Sequence, residues 1–189
     1  MRSLHRTFAS PFGSLTATGD GRVLHELGLP GRASPTTGAR RAALSAFAEV
    51  GRQREYFDGQ RQEFDLTLAP QDTPLQRKAW QAVQEVPYGR TITCSELARR
   101  IGIPGAARAA GSLNARNPVC VIIPCHRVVG ADGSPTGYAG GLEIKRRLLD
   151  LELKRAKLVF PEERSDELAS RLRDHRLTVA GDTQSAAAP

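Results

Sequence analysis

Val119-Cys120-Val121-Ile122-Ile123-Pro124-Cys125-His126-Arg127-Val128 is the stretch on which the reading of this chain turns. An apolar, β-branched run delivers a cysteine set between a proline and a histidine. Such side chains are stiff, so the run holds the thiol in a defined place. The thiolate is the reactive form of cysteine, and a nearby histidine or cation increases its share. Two readings compete at this point: a positioned nucleophile with its proton acceptor alongside, and a small buried thiol that fills the core. The residues on either side decide between them.

The 189 residues are enough for one large domain or two small ones with a sizeable core. Cys94, Cys120 and Cys125 are too few and too irregular for a disulfide framework. Cys120, Cys125 and His126 lack the spacing of a zinc finger, and zinc would blunt Cys125 as a nucleophile, so neither metal nor cofactor is expected. Met1-Arg2-Ser3-Leu4-His5-Arg6 is followed by no apolar segment of a secretory signal. No apolar run reaches the roughly 18 residues of a membrane span. The expectation is a soluble, cytoplasmic protein with no membrane partner. Its net charge of +7 is unevenly placed. Residues 75–155 hold 13 Lys and Arg against 6 Asp and Glu, whereas the remainder holds 14 of each. A basic segment fits a polyanion such as nucleic acid, and equally a solvated arginine-rich surface.

Upstream of the motif, Thr73-Pro74 opens a helix over Leu75–Val86, with Thr73 as N-cap and Pro74 at the first position. Thr93-Cys94-Ser95-Glu96 has the form of a capping box and opens a short helix over Cys94–Ile101. After Gly102-Ile103-Pro104 a second helix covers Gly105–Asn114, and the pair suggests a helix-turn-helix. In that second helix, residues 105–112 are small except Arg108. Its backbone can therefore approach a partner closely with one long cation projecting, or pack tightly inside the protein with Arg108 paired. Downstream, Thr136-Gly137-Tyr138-Ala139-Gly140-Gly141 lacks the Gly-Lys-Ser/Thr ending of a phosphate loop and suits the wall of a pocket. Leu142–Leu153 reads as a basic helix with Lys145, Arg146 and Arg147, and Leu148-Leu149 turned inward.

The first third reads as a small α/β unit without a catalytic cluster. Ser10–Thr18, the turn Gly19-Asp20-Gly21 and Val23–Leu29 form a β-hairpin. The apolar spacing over Ala39–Phe57 predicts one helix, and Phe64–Leu68 one further strand. Glu162–Arg176 is a charged extension, and the Ala/Ser/Gly-rich end from Thr178 predicts disorder.

Taken in order, several segments closely resemble the O6-alkylguanine-DNA alkyltransferases, also called methylated-DNA–protein-cysteine methyltransferases. They are Val86-Pro87-Tyr88-Gly89-Arg90-Thr91, Ala106-Ala107-Arg108-Ala109-Ala110-Gly111, Asn117-Pro118, Ile123-Pro124-Cys125-His126-Arg127-Val128-Val129, Gly137–Leu142 and Leu148-Leu149-Asp150-Leu151-Glu152. The resemblance is continuous over about residues 73–153, and Ser10-Pro11-Phe12-Gly13 extends it more weakly to the start. It implies an N-terminal α/β domain of ribonuclease-H-like topology (1–69), a linker (70–74), and a mostly α C-terminal domain with a helix-turn-helix (75–158), with an extension and tail over 159–189.

The family likeness also implies the chemistry. Cys125 would take the alkyl group from O6-alkylguanine in double-stranded DNA irreversibly and once, with O4-alkylthymine as a further admissible substrate. His126 would receive the thiol proton through a water, Glu152 would hold the imidazole, and Asn117 would tie the recognition helix to the active-site segment. Arg108 would fill the gap of a flipped nucleotide from the minor groove, with Ala106, Ala107, Ala109, Gly111 and Ser112 against the DNA and the protein acting as a monomer. Cys94, Arg127, Val128, Tyr138, Ala139 and Gly140 would line the substrate pocket. Cys94 departs from the pattern, because the family usually carries a tyrosine there whose hydroxyl aids the leaving group; cysteine is a weaker, shorter donor. Two other functions remain open on the residues: a lesion-recognition protein without transfer, and a thiol hydrolase using Cys125 and His126.

Overall fold

Leu15, Ala17 and Gly19 point to one side of β2 (Gly13–Gly19) and are buried, the alternation of a strand with one face on the core. β2 is flanked by β1 (Leu4–Ser10) and β3 (Leu24–Gly28), both antiparallel to it, and β4 (Arg40–Arg41) runs parallel to β1, giving the order β3-β2-β1-β4. This is a computed structural model, and it describes residues 3–32, 38–70 and 72–159. The hairpin read from the sequence is β2–β3. A second hairpin precedes it: β1 turns through Pro11-Phe12 into β2, with Ser10 opposite Gly13. Only Phe8 of β1 is fully buried, so the strand carries too weak an alternation to be read locally.

The single helix expected over Ala39–Phe57 is broken. Residues 40–41 join the sheet, and Leu44–Phe47 form a 3-10 turn. Two short helices follow, α1 (Ala48–Gly51) and α2 (Gln53–Phe57), parted at Arg52 next to the poor helix former Gly51. α2 turns Gln53, Tyr56 and Phe57 inward, and Gln53 donates to the Ala9 carbonyl of β1 at 2.9 Å. The strand expected over Phe64–Leu68 shrinks to a single bridge between Leu68 and Leu24.

α3 (Pro74–Gln84) begins as its sequence dictates. The Thr73 hydroxyl accepts from the Gln76 amide, and the Gln76 side chain accepts from the Thr73 amide. α4 (Cys94–Arg100) is capped by Thr93, but Glu96 turns its carboxylate to Arg99 and Arg100 instead of closing a reciprocal box. α5 (Ala107–Ala115) starts later than expected, because Gly105 sits at φ +83° in a left-handed conformation that a helix excludes. α6 (Leu142–Val159) runs six residues beyond its expected end. A two-stranded parallel pair, β5 (Ile92–Thr93) and β6 (Val128–Val129), joins the start of α4 to the segment after Cys125. The extension and tail read beyond Val159 lie outside the described residues.

The Val119–Ile123 run is bent rather than a plain strand. The Leu27 amide donates to Pro118 at 2.9 Å and the Cys120 amide to Leu27 at 3.1 Å, so the run starts as a continuation of the β3 edge. It then folds back at Val121, whose φ of +74° is strained for a β-branched residue. Every residue from Val119 to Val129 is buried. The sheet, α2 and the helices thus converge on this one segment.

Candidate active site

Cys125 opens a 3-10 turn, Cys125–Arg127, whose shape is set by its backbone and by two asparagines. The Cys125 amide donates to Ile123 (2.8 Å) and the Arg127 amide to Pro124 (2.9 Å). Asn117 staples the bend beneath it: its side chain donates to the Ile123 carbonyl at 2.8 Å and accepts from the Val119 amide at 2.9 Å. Asn114, in the last turn of α5, donates to the Cys125 carbonyl itself at 3.0 Å. α5 is therefore bonded directly to the residue carrying the thiol. The sequence reading gave the tie to Asn117 and missed Asn114, although Asn114 lies four residues after the buried Ala110 on the same helical face.

Behind the turn, Glu152 of α6 collects donors from four residues in three parts of the chain. Its Oε1 accepts from the Tyr56 hydroxyl (2.6 Å), His126 Nε2 (2.8 Å) and Arg127 Nη2 (2.9 Å). Its Oε2 accepts from Arg127 Nε (2.9 Å) and the Gly89 amide (3.1 Å). Gly89 is required there: its φ is +72°, and a Cβ would stand 2.6 Å from that of Ala156. Arg127 was expected in the substrate pocket, and the structure corrects this. Its guanidinium is committed to Glu152, to the Val86 carbonyl (2.6 Å) and to the face of Tyr88. A buried guanidinium needs such a partner.

Burial alone would raise the Glu152 carboxyl, but His126 and Arg127 hold it well below the usual carboxylate range. It is a pure acceptor, so the neutral His126 ring carries its proton on Nε2. Nδ1 is then the basic nitrogen, and it is buried with no protein partner among the described residues. Burial lowers the His126 pKa against the pull of Glu152, which favours the neutral ring.

The thiol has its own surroundings. Hydrogen bonding from Cys120, then from Asn117, and the charge of Lys145 lower the Cys125 pKa against its burial. Cys120 is pushed up in turn by its bond to Cys125 and by burial. Lys145, read as one cation of a basic helix, is fully buried and donates to the Val128 and Thr136 carbonyls at 2.5 and 2.6 Å. Its spacing from Leu148 and Glu152, three and seven residues on, was the signal that it shares their inward face. Tyr138 is half-buried, and its hydroxyl has no partner among the described residues. Ala139 and Gly140 follow it, half-buried. Val128 is buried in β6.

On the outer side, α5 shows Arg108, Ala109 and Ser112 to solvent, with Ala106, Ala107 and Gly111 half-buried. Half-buried Cys94 begins α4 close to Gly111, where an added Cβ would meet its sulfur at 3.4 Å. Among the described residues no group of His, Cys, Asp and Glu is placed to hold a metal ion, and no helix is long and apolar enough to cross a membrane.

Residues 74–154 match the family model described as 6-O-methylguanine DNA methyltransferase, DNA binding domain. The Mycobacterium tuberculosis methylated-DNA–protein-cysteine methyltransferase is 44% identical over 160 residues, covering 80% of this chain and 93% of the relative. The Methanosarcina barkeri protein of the same name is 55% identical over 107 residues, covering 56% and 68%. Among solved structures, that of the Mycobacterium tuberculosis OGT in complex with DNA aligns with a TM-score of 0.76 at 39% identity, covering 88% of this chain and 99% of that one.

Proposed function

Since the chain belongs to the methylated-DNA–protein-cysteine methyltransferases, we propose that it repairs O6-alkylguanine in DNA by moving the alkyl group onto Cys125. The observation that carries this is the buried proton relay adjoining the thiol: Glu152 fixes the His126 Nε2 proton at 2.8 Å and leaves Nδ1 as a base. Nδ1 takes the thiol proton through a water. The thiolate then attacks the alkyl carbon in line, the new S–C bond forms as the C–O6 bond breaks, and the electron pair leaves on the guanine. Lys145 and the Cys120 thiol favour the anionic sulfur before attack. A thioether is not hydrolysed under these conditions, so each molecule acts once.

The double-stranded substrate is engaged by α4 and α5 as a helix-turn-helix, with α5 in the minor groove. The exposed small residues Ala109 and Ser112 allow the close approach that this groove demands, and Arg108 occupies the place of the flipped nucleotide. Flipping is needed because O6 is shielded within the stack. The pocket wall falls to Cys94, Tyr138, Ala139 and Gly140, with O4-alkylthymine as a second admissible substrate, and the protein acts as a monomer. An N-terminal α/β domain of ribonuclease-H-like topology over 1–69, a linker over 70–74 and a helical domain over 75–158 complete this reading, with the cytoplasm as its place of action. A lesion-recognition role without transfer is not favoured, because the named relatives are methyltransferases.

Intact-protein mass after incubation with a duplex containing O6-methylguanine tests the reading. The expected result is one gain of about 14 Da on Cys125, absent from Cys125→Ser. An unchanged mass in the wild-type protein overturns it.

A further inference from the structure

The N-terminal unit supplies one group to the relay that neither its sequence nor the family likeness assigns. We propose that Tyr56 of α2 is a positioning residue for alkyl transfer, its hydroxyl fixing the Glu152 carboxylate and, through it, the orientation of His126. The proposal rests on the function proposed above. Tyr56 is 1% exposed, and its hydroxyl lies 2.6 Å from Glu152 Oε1 and 3.5 Å from His126 Nε2.

A buried phenol often takes any available acceptor, but two features argue for more than that here. The first is its neighbour Tyr88, whose ring lies 6.0 Å away and whose buried hydroxyl has no partner among the described residues. The fold therefore tolerates a phenol left unbonded in this same region. The second is the company of Tyr56: Phe57 and Phe64 pack on it, so a phenylalanine would serve the packing as well. What tyrosine adds is a donor aimed at the carboxylate oxygen that also holds the histidine.

The sign of its effect follows. A donor on Oε1 draws charge from the carboxylate and weakens its pull on the His126 proton. Removing the hydroxyl leaves Glu152 a stronger acceptor, so His126 protonates at higher pH. The other charged groups acting on the ring stay in place: Glu152 and Lys145 from α6 and Arg127 from the active-site turn.

The test is the single-turnover rate of transfer from O6-methylguanine duplex against pH, for the wild type, Tyr56→Phe and Phe57→Leu, with melting curves for each. Tyr56→Phe is expected to slow transfer roughly tenfold near pH 6.5, within the share a positioned base contributes. Its acid limb should move to higher pH, with the loss shrinking above pH 8. Phe57→Leu should lower the melting temperature and leave the limb where it was. Should Tyr56→Phe fail to fold, site-specific 3,5-difluorotyrosine at position 56, a stronger donor of the same shape, is expected to move the limb to lower pH. A Tyr56→Phe protein with the wild-type limb, or one slowed equally at every pH, overturns the proposal. A wild type that transfers nothing overturns instead the function on which it rests.

Discussion

The two sides of the Cys125 turn are built in opposite ways. On the inner side Glu152, His126, Arg127 and Tyr56 are buried and bonded to one another at 2.6 to 2.9 Å. On the outer side α5 presents Arg108 to solvent, and among the described residues that cation has no ion pair or hydrogen bond. The inner side closes on itself; the outer side leaves its cation to solvent. Preorganised groups in a dry site cost little reorganisation when charge moves, whereas a solvated arginine gives up water and rotamer freedom on binding. Asn114 joins the two sides, as it stands on α5 and holds the Cys125 carbonyl. The helix proposed to face DNA and the residue carrying the thiol are thus connected through one amide.

The sharpest way to break the inner side is Glu152→Gln, which keeps the volume and removes the charge. An amide nitrogen would then face donors, and the Arg127 guanidinium would be buried without its counter-ion. Loss of one partner of a buried pair costs about 3–5 kcal/mol. The melting temperature should fall steeply, and transfer should slow at least ~10²-fold as the base loses its support. The wild type also has a direction with pH. The depressed Glu152 carboxyl contributes stability above its ordinary value of 4.5 that is lost as pH falls toward its folded value. His126, held neutral by burial, adds a loss that begins below about its ordinary 6.5. Denaturant midpoints should therefore fall as the pH is lowered from 7.5 to about 3, and Glu152→Gln should flatten the part of that decline below pH 4.5.

Arg108→Ala probes the outer side alone. Folding should be untouched, because the exposed side chain makes no bond among the described residues. Affinity for the damaged duplex should drop roughly tenfold, with transfer recovering at saturating DNA if the relay is intact. If Arg108 meets a phosphate instead of the stack, binding loses about one unit of salt slope. Binding by fluorescence anisotropy at two salt concentrations separates the outcomes, and unchanged affinity would contradict the assignment of α5 as the DNA-facing element.

These sides were not equally legible in the sequence. Short-range features came through: the β2–β3 hairpin, the Thr73 cap of α3 and the two helices around Gly102-Ile103-Pro104 are set by neighbours a few residues apart. Pairings that close only in the fold did not. β4 was hidden inside an apolar periodicity that reads as helix, because its two residues become a strand only by lying beside β1. The relay shows the same limit. Cys125, His126 and Glu152 were marked by the family likeness, whereas Tyr56 lies 96 residues from its acceptor and read as an ordinary apolar position. Arg127, put in the pocket by the family likeness, and Lys145, read only as one cation of a basic helix, are held by bonds that no local pattern shows. Only the tertiary structure shows the carboxylate and carbonyls that let them be buried.

The finest probe of the inner side is the second thiol. Cys120 lies beside Cys125 at the bridge to Ile123, and its sulfur also reaches the Asn117 carbonyl at 3.7 Å. A thiol is a weak donor, so its support for the Cys125 anion is modest next to the Lys145 charge. Cys120→Ala removes that donor and leaves Asn117 and Lys145 in place. The reaction of Cys125 with iodoacetamide should then need a slightly higher pH, slowing a few-fold at pH 7 and not at all at pH 10. A rate that falls equally at both would mean that Cys120 only fills space behind the turn. A rate that is unchanged at both would leave Lys145 and Asn117 as the groups that keep the nucleophile reactive.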